Sequence, residues 1–466
     1  MKKNITLLHT NDLHGSYDQL IRQAGYIKKR IKELEAQNEH YLLVDGGDHM
    51  DMSINECLAT QGRIHLEMIQ NLGYHAMSVG NNELLRSTPE LIRSLSIESK
   101  VPWLLANLVE QDGTPIGGTK EYHIVEIGDN LKIGMVGTTD QYGDLYENKH
   151  EFLNRDTLDS VKSAVYQLKA NGANLIIYLS HMGYDTDLEL AKGLSGIVDV
   201  IVGAHSHTIL EEPIVVSDVI IVQAGSHGRY VGELRLEYDI TNRKIDTYNG
   251  KLIEISDELE VDLDMLSIVE RGREQTRKFM SEVLCSFDHP LTHKEMITLM
   301  ASGVQDYWNA DIGVMYGGAA LGGLEHGPIT KGAIFDLCKS MHSPVLIELT
   351  GQQIEGLIID SYKDEIISKK IYGNGFRPHG IAFGTLGFSG VTWEHKHGNI
   401  FNIKIHGKPL LRENIYRVGT GTPMLYEEVC GYPSVKGCKM LDIGKSVMIK
   451  DVFIEYLRSY KESIFV

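Results

Sequence analysis

Seven side chains in the first half of the chain are of types that bind divalent metals through carboxylate oxygens, amide oxygens or imidazole nitrogens. Each lies at or just beyond the end of a short apolar run, and they are Asp12, His14, Asp48, Asn81, His181, His205 and His207. A tetrahedral zinc ion accepts four ligands, so seven fit two metal ions better than one. Two adjacent ions can activate water and hold a phosphoryl oxygen, which is the chemistry of phosphate-ester cleavage.

The apolar runs before these side chains predict the strands that position them. They cover residues 5–8, 41–44, 76–79, 175–179 and 200–202. Helical spacing at residues 21–37, 64–72, 89–95 and 161–168 alternates with them, and residues 219–223 and 233–238 add strands. This alternation is typical of an α/β fold. Because ligands gather at the carboxyl ends of the strands in such sheets, residues distant in sequence should meet at one edge.

Each motif alone also has an ordinary structural interpretation. Segment 12–14 fits a turn with a solvated histidine, Asp48 after two glycines fits a helix cap, and Asn81 fits a turn residue. The histidines at 205 and 207 share one side of an extended segment, which alone does not decide between the two interpretations. Their joint occurrence after strands favours the metal site. Asp48 is the natural bridge, since a carboxylate has two oxygens and can touch both ions.

The same motifs resemble those of the calcineurin-like metallophosphoesterases, in the same order along the chain. The matching segments are His-Thr-Asn-Asp-Leu-His-Gly at 9–15, Gly-Asp at 47–48, Gly-Asn-Asn-Glu at 80–83, Ser-His at 180–181 and Gly-Ala-His-Ser-His at 203–207. The branch that the chain resembles contains 5'-nucleotidases, UDP-sugar hydrolases and 2',3'-cyclic phosphodiesterases, and the resemblance covers nearly the whole chain. It implies an α/β protein, with a four-layer α/β/β/α sandwich followed by a smaller α+β substrate-binding domain.

The resemblance also divides the ligands between two divalent metal ions, which would be manganese, zinc, cobalt or magnesium. One ion would be held by Asp12, His14, Asp48 and His207. The other would be held by Asp48, Asn81, His181 and His205.

The chain departs from the family where a His–Asp dyad usually contacts the phosphate. The family has histidine after the metal-binding asparagine and aspartate three residues later, whereas this chain has Asn82 and Leu85. An amide can only hydrogen-bond, whereas a histidine can donate a proton. We therefore expect Asn82 to donate a hydrogen bond to a phosphoryl oxygen, and slower hydrolysis of poor leaving groups. His49 and Asp51 are candidates to substitute for the dyad, or are ordinary polar residues of the loop.

The C-terminal half carries candidate residues for the leaving group. Relatives often stack a nucleobase between two aromatic rings, and Phe388 and Tyr432 lie near the corresponding positions. Both residues fit a core role equally well. Tyr316 and Leu321 replace an asparagine and an arginine that the family commonly has around a pair of glycines. Arg377 could supply the missing cation or be a solvated surface residue, so the substrate's identity does not carry over.

Length and charge agree with an enzyme of two domains acting on a small molecule. The chain has 466 residues and a formal net charge of −18, which argues against binding a nucleic-acid polymer. We predict a dinuclear metallophosphoesterase domain at residues 1–255, a helical linker at 256–281, and a C-terminal 5'-nucleotidase-type domain at 282–466. The expected partner is a small phosphorylated, nucleotide-like substrate, and the sequence does not indicate an oligomeric state.

We expect a cytoplasmic protein that does not associate with membranes. No apolar run approaches the ~18 residues that a membrane span needs, and the N-terminus shows no signal peptide before the first metal motif. The cysteines form no CxxC pair, which is typical of free thiols in a reducing compartment. They are Cys57, Cys285, Cys338, Cys430 and Cys438.

Three functions are compatible with the sequence. The first is hydrolysis of a small, nucleotide-like phosphate ester by a metal-activated hydroxide at a two-metal site. The second is a catalytically impaired relative that binds metal and nucleotide as a sensor or regulatory partner, which Asn82 and Leu85 favour. The third is a metal-dependent hydrolase of another ester class, for which the sequence offers no positive feature.

Overall fold

The chain divides into two units. The computed structural model describes residues 2–128, 131–339, 342–370, 384–396, 398–426, 430–445 and 447–460. Its contacts separate Met1–Thr276 from Arg277–Val466. The division falls within the stretch that we predicted as a linker, inside a helix that runs from Leu263 to Met280.

The N-terminal unit alternates strands with helices. Its described strands are β1 (Lys2–Thr10), β2 (His40–Asp45), β3 (Ala76–Ser78), β4 (Trp103–Leu104), β5 (Leu108–Val109), β6 (Tyr122–Ile127), β7 (Leu131–Thr139), β8 (Leu153–Asn154), β9 (Leu175–His181), β10 (Val200–Gly203), β11 (Ile214–Val216), β12 (Val219–Val222), β13 (Tyr230–Asp239) and β14 (Lys244–Glu254). Its described helices are α1 (Tyr17–Ala36), α2 (Asn55–Ala59), α3 (Arg63–Leu72), α4 (Asn81–Leu85), α5 (Pro89–Glu98), α6 (Leu145–His150), α7 (Thr157–Ala170), α8 (Tyr184–Leu194) and α9 (Leu263–Met280). Every strand and helix predicted in this half is present, with ends that differ by a few residues.

Two six-stranded sheets organise this unit. The first has the order β14-β13-β1-β2-β3-β4 and the second the order β11-β12-β10-β9-β7-β6. Strands β1, β2 and β3 are parallel neighbours in the first sheet, and β7, β9 and β10 are parallel neighbours in the second. Their carboxyl ends therefore meet at one edge of each sheet, where the predicted ligands follow.

Three apolar cores stack these elements into layers. The central core joins Leu7 and Val44 of the first sheet to Ile177 and Val202 of the second, so the sheets pack face to face. A second core packs helices against the outer face of the first sheet, through side chains such as Ile27 of α1. A third packs α7 and α8 against the outer face of the second sheet. The predicted four-layer α/β/β/α sandwich is confirmed.

The C-terminal unit is smaller and mixes strands with helices, as predicted. Its described strands are β15 (Val283–Phe287), β16 (Ile312–Tyr316), β17 (Gly327–Thr330), β18 (Pro344–Thr350), β19 (Leu386–Ser389), β20 (Val391–Lys396), β21 (Asn399–Ile405), β22 (Lys408–Pro409), β23 (Ile415–Gly421) and β24 (Lys439–Ile443). Its described helices are α10 (His293–Trp308), α11 (Lys331–Leu337), α12 (Gly351–Asp360), α13 (Asp364–Ile367) and α14 (Ile449–Ser459). The main sheet has the order β19-β16-β23-β18-β24.

The long helices are amphipathic rather than uniformly apolar. Helix α1 buries Leu20, Ala24 and Ile27 on one face and exposes charged residues on the other. Within the described part of the chain, no helix has both the length and the apolar character that a membrane span requires.

Candidate metal centre

The loops after parallel strands bring all seven predicted ligands together at one edge of the sandwich. Asp12 and His14 follow β1, Asp48 follows β2, and Asn81 begins α4 after β3. His181 is the last residue of β9, and the two remaining histidines follow β10. Ligand atoms of six of these residues form two groups, each with its atoms within 4.8 Å of one another: Asp12, His14 and His207, and Asp48, His181 and His205.

The first group places two imidazoles beside a buried carboxylate. His14 Nε2 lies 2.9 Å from His207 Nε2, and Asp12 Oδ1 lies 3.7 Å and 3.5 Å from these two nitrogens. The Asp12 side chain is fully buried, whereas the His207 side chain is 40% exposed. The three ligand atoms therefore face one point that is open on one side.

The second group adds an amide oxygen to a carboxylate and two imidazoles. Asn81 Oδ1 lies 2.8 Å from His205 Nδ1 and 3.1 Å from His181 Nε2. Asp48 Oδ2 lies 3.3 Å from the same His181 nitrogen. The other ring nitrogen of His181, Nδ1, is 2.9 Å from the carbonyl oxygen of Gly46. When Nδ1 donates to that carbonyl, Nε2 keeps its lone pair for a metal.

Asp48 lies between the two groups. Its Oδ2 is 3.3 Å from His181 Nε2 in one group and 3.8 Å from His14 Nε2 in the other. One carboxylate thus faces a histidine nitrogen of each group, as a bridging ligand must. The set of carboxylate, amide and imidazole donors fits zinc, manganese or related divalent ions.

The electrostatics of the site depend on burial and on opposite charges. Burial disfavours the charged forms of both Asp48 and His181, but their mutual attraction outweighs it. The pKa of Asp48 is therefore lowered, and the pKa of His181 is raised to about 10. Without a metal ion, a proton on His181 would stabilise the Asp48 carboxylate; a bound metal ion would replace that proton and leave Nε2 free to bind it.

The backbone at the ligands is in an unusual conformation. Positive φ angles occur at five of the seven ligands, namely Asp12 (52°), His14 (49°), Asp48 (55°), His205 (71°) and His207 (56°). Few residues other than glycine adopt this left-handed region, and such residues cluster at functional sites. These five residues lie in tight loops, whereas His181 ends β9 and Asn81 begins α4.

Residues beside the ligands fix their positions, and the sequence prediction did not name them. Asn11 Nδ2 donates to Asp12 Oδ2 at 2.7 Å and to the carbonyl of Gly225 at 2.6 Å. Asn11 Oδ1 accepts the backbone N–H of Ala224 at 2.8 Å. The amide therefore joins the Asp12 loop to the loop before β13. Its position within the 9–15 motif was the available signal.

Two further carboxylates lie next to metal-ligand histidines. Asp140 Oδ2 is 3.6 Å from His205 Nε2. Asp51 Oδ2 is 3.9 Å from His14 Nδ1, and Asp51 Oδ1 accepts a hydrogen bond from Arg86. A carboxylate near the second nitrogen of a ligand histidine orients the ring. The sequence did not predict β7, the parallel strand whose carboxyl end places Asp140 at this edge.

The two predicted catalytic residues contact protein groups. Asn82 Nδ2 donates to Asp48 Oδ2 at 2.6 Å, and its backbone N–H donates to Asp48 Oδ1 at 2.7 Å. His49 is 1% exposed, and its Nδ1 lies 2.9 Å from Nδ1 of His65. Burial lowers the pKa of His49 to about 3. The structure thus places Asn82 on the Asp48 carboxylate and His49 in the interior, and their catalytic roles stay predictions.

The predicted substrate-binding aromatics are buried within the C-terminal unit. Phe388 is 8% exposed and packs edge-on against Trp393, with ring centroids 5.1 Å apart. Tyr432 is 0% exposed. In this conformation neither ring offers an open face for stacking a base. Arg377 lies outside the described residues.

Two families match most of the chain. The family described as calcineurin-like phosphoesterase matches residues 5–208. The family described as 5'-nucleotidase, C-terminal domain, matches residues 282–422. The first match contains all seven metal-ligand candidates. The second lies wholly within the C-terminal unit.

Individual relatives agree with these matches. The uncharacterized metallophosphoesterase YunD of Bacillus subtilis (strain 168) is 26% identical over 428 residues, which cover 90% of this chain and 92% of that protein. A snake venom 5'-nucleotidase of Gloydius brevicauda is 28% identical over 312 residues, which cover 60% of this chain. The chain spans 52% of the length of that venom protein.

A solved structure shares the fold over the whole length. The crystal structure of a 5'-nucleotidase precursor from Thermus thermophilus superimposes with a TM-score of 0.56 and 21% identity, covering 98% of this chain and 96% of that one. At this identity the likeness concerns the fold alone. The two family matches and the convergent ligand loops lead to one conclusion: the chain combines an N-terminal calcineurin-like phosphoesterase domain, matched over residues 5–208, with a 5'-nucleotidase C-terminal domain, matched over residues 282–422.

Proposed function

We propose that this protein hydrolyses a phosphate ester of a small, nucleotide-like molecule at a site for two divalent metal ions. The observation that carries the proposal is the position of Asp48. Its Oδ2 faces His14 of one ligand group and His181 of the other. A single-metal site would not need a carboxylate at that place.

The ligands would divide as the two groups do. Asp12, His14 and His207 would hold one ion, Asn81, His181 and His205 the other, and Asp48 both. Two such ions supply an activated water and charge stabilisation for an in-line displacement at phosphorus. The protein contributes ligand geometry: the Gly46 carbonyl fixes the His181 ring, and Asn11 fixes the Asp12 carboxylate.

At the two positions where the family carries its His–Asp dyad, this chain has no side chain that can protonate the leaving group. Asn82 cannot donate a proton at neutral pH, and its amide hydrogen-bonds Asp48. Leu85 offers no carboxylate. We therefore propose substrates whose leaving groups depart with little protonation. The 5'-nucleotidase C-terminal domain and the names of relatives support a nucleotide-like substrate.

A second function rests on the same departure. An impaired relative could bind metal and nucleotide as a sensor, because the hydrogen bond between Asn82 and Asp48 stabilises the ligands without adding an acid. The complete set of seven ligands supports the hydrolase over the sensor.

Reconstitution separates the two functions. Full-length protein would be loaded with manganese, zinc, cobalt or magnesium and assayed against an aryl phosphate, its diester and a panel of nucleotides. We expect metal-dependent turnover that Asp48→Asn abolishes, while the exposed control Asp185→Asn on α8 keeps the wild-type rate. Metal binding without turnover of any ester would contradict the hydrolase and favour the sensor.

A further inference from the structure

A cavity of about 500 Å³ lies beside the first ligand group, wholly within the N-terminal unit. The loop after His14 and the start of α1 form one wall, through residues such as Gly15 and Tyr17. The loop before β13 forms another, through His227 and Arg229. The metal ligands themselves do not line it, so the cavity is a neighbouring space that a molecule bound at the metals could enter.

His227 connects this cavity to the candidate metal centre. Its ring centroid is 5.3 Å from that of His14 and 5.7 Å from that of His207. Its backbone N–H donates to the carbonyl of Asp12 at 2.7 Å. Its φ of 57° is in the same left-handed region as five of the ligands. This backbone conformation, held by a hydrogen bond to a ligand residue, places the ring next to the site, where its Nδ1 lies 2.8 Å from Ser226 Oγ.

Among the described residues, the charges that line the cavity leave one cation unpaired. Asp18 Oδ1 lies 2.7 Å from Nη2 of Arg273, and Glu56 Oε1 lies 3.9 Å from its Nε, so these two acids face the same guanidinium. Arg229 is exposed. Across the described ranges, no carboxylate oxygen lies within 4.0 Å of a guanidinium nitrogen of Arg229, which is the distance limit for an ion pair. An arginine in that position can bind an anion through two parallel hydrogen bonds.

We propose that His227 and Arg229 form a subsite for a second anionic group of the substrate. The scissile phosphate would be held at the candidate metals, and a further phosphate would extend past His227 to the guanidinium of Arg229. The inference rests on the proposed function, because it takes the scissile phosphate to lie at the ligand groups. The N-terminal unit should therefore bind a substrate with two anionic groups more tightly than a substrate with one.

Binding measured without turnover tests the subsite directly. Metal-loaded full-length protein would be titrated calorimetrically with a methylene-bridged adenosine diphosphate and with a non-hydrolysable adenosine monophosphate analogue. We expect Arg229→Met to weaken the diphosphate analogue by about tenfold or more, as loss of a charge-assisted bidentate contact should. Affinity for the monophosphate analogue should stay within about twofold of wild type. Arg229→Lys, which keeps the charge but not the planar fork, should fall between.

The matched control for Arg229→Met is a variant of another exposed arginine. Arg243→Met makes the same change at an exposed arginine between β13 and β14, and it should bind both analogues like the wild type. The subsite is wrong if Arg229→Met weakens both analogues equally or neither, or if wild-type protein binds the two equally well. If diphosphate binding depends on Arg229 but the protein hydrolyses no ester, the subsite is supported and the proposed hydrolase is contradicted.

Discussion

The carboxylate of Glu83 holds the loop of Asp48, the candidate bridging ligand. Glu83 Oε2 accepts the backbone N–H of Asp48 at 3.0 Å and that of Gly80 at 2.8 Å, and Oε1 accepts the N–H of Met50 at 2.8 Å. Glu83 is 0% exposed. Three backbone donors from two ligand loops thus converge on one buried side chain, which sets the distance between Asp48 and Asn81.

Glu83→Gln is therefore expected to weaken metal binding while the protein still folds. Glutamine keeps one acceptor oxygen, but its NH₂ group would face backbone N–H donors. Loss of a partner that orients metal ligands typically costs ~10–100-fold in affinity or activity. Metal titration of the variant measures the effect, with Glu189→Gln at an exposed position of α8 as the control. Wild-type metal affinity in Glu83→Gln would show that Glu83 does not position the ligands.

Restoring the family's dyad should help poor leaving groups selectively. In the double variant Asn82→His with Leu85→Asp, an imidazole can donate a proton that the amide cannot. We expect turnover of an alkyl phosphate to rise about tenfold, below the ~10²–10⁴-fold of an established general acid, while an activated aryl phosphate changes little. Steady-state rates on the two esters check this. Leu85→Asp alone is the control and should give no gain. Equal gains on both esters would indicate a cause other than proton donation.

The backbone at Tyr142 carries strain next to the candidate metal centre. Tyr142 has a φ of 51° and is 42% exposed, and its ring lies 6.1 Å from that of His205. Asparagine tolerates this left-handed region better than tyrosine does. Tyr142→Asn should therefore raise the free energy of unfolding by about 0.5 kcal/mol. Chemical denaturation measures it, and Tyr166→Asn on the exposed face of α7 should bring no gain. A destabilised Tyr142→Asn would mean that the ring's contacts outweigh the strain.

Asp187 should make stability depend on pH. It is 0% exposed, its Oδ1 accepts from Ser180 Oγ at 2.5 Å, and its Oδ2 has no hydrogen-bond partner among the described residues. Burial raises the pKa of Asp187 to about 8. An unfolded aspartate has a pKa of ~3.9. The folded state therefore binds the proton more tightly, and the stability that Asp187 contributes is lost as pH rises from about 4 to about 8.

Asp187→Asn removes that titration. The free energy of unfolding of the variant should exceed that of the wild type. The difference should grow between pH 5 and pH 8 and reach about 2 kcal/mol. Denaturant melts across this pH range provide the comparison, with exposed Asp185→Asn expected to follow the wild type. A constant difference at every pH would mean that Asp187 does not titrate in this window.

The sequence predicted the seven ligands because each follows an apolar run that must be a buried strand. The alternation of strands and helices then dictated that the carboxyl ends converge; six of the candidate ligands form two groups, and Asn81 contacts two histidines of the second. Residues that hold the ligands were harder to predict. Glu83 accepts the backbone N–H of Asp48, which is 35 positions away along the chain, and no spacing rule describes that contact.

The C-terminal half was less predictable from sequence for a physical reason. Phe388 and Tyr432 are aromatic in either interpretation, and only tertiary packing decides whether a ring is covered. Likewise the side chain of Asn82 could face a phosphate or Asp48, and the structure shows the hydrogen bond to Asp48. Sequence gives the type of a side chain, whereas its direction depends on neighbours that come from distant segments.

Metal stoichiometry tests the two-metal account most directly. Full-length protein would be reconstituted with manganese, desalted and analysed for metal per chain, alongside His207→Ala, His205→Ala and Asp48→Asn. The account predicts two equivalents in the wild type, about one in each histidine variant, and loss of metal and turnover together in Asp48→Asn. A wild type that is active with a single equivalent, or an Asp48→Asn variant that keeps its activity, would contradict it.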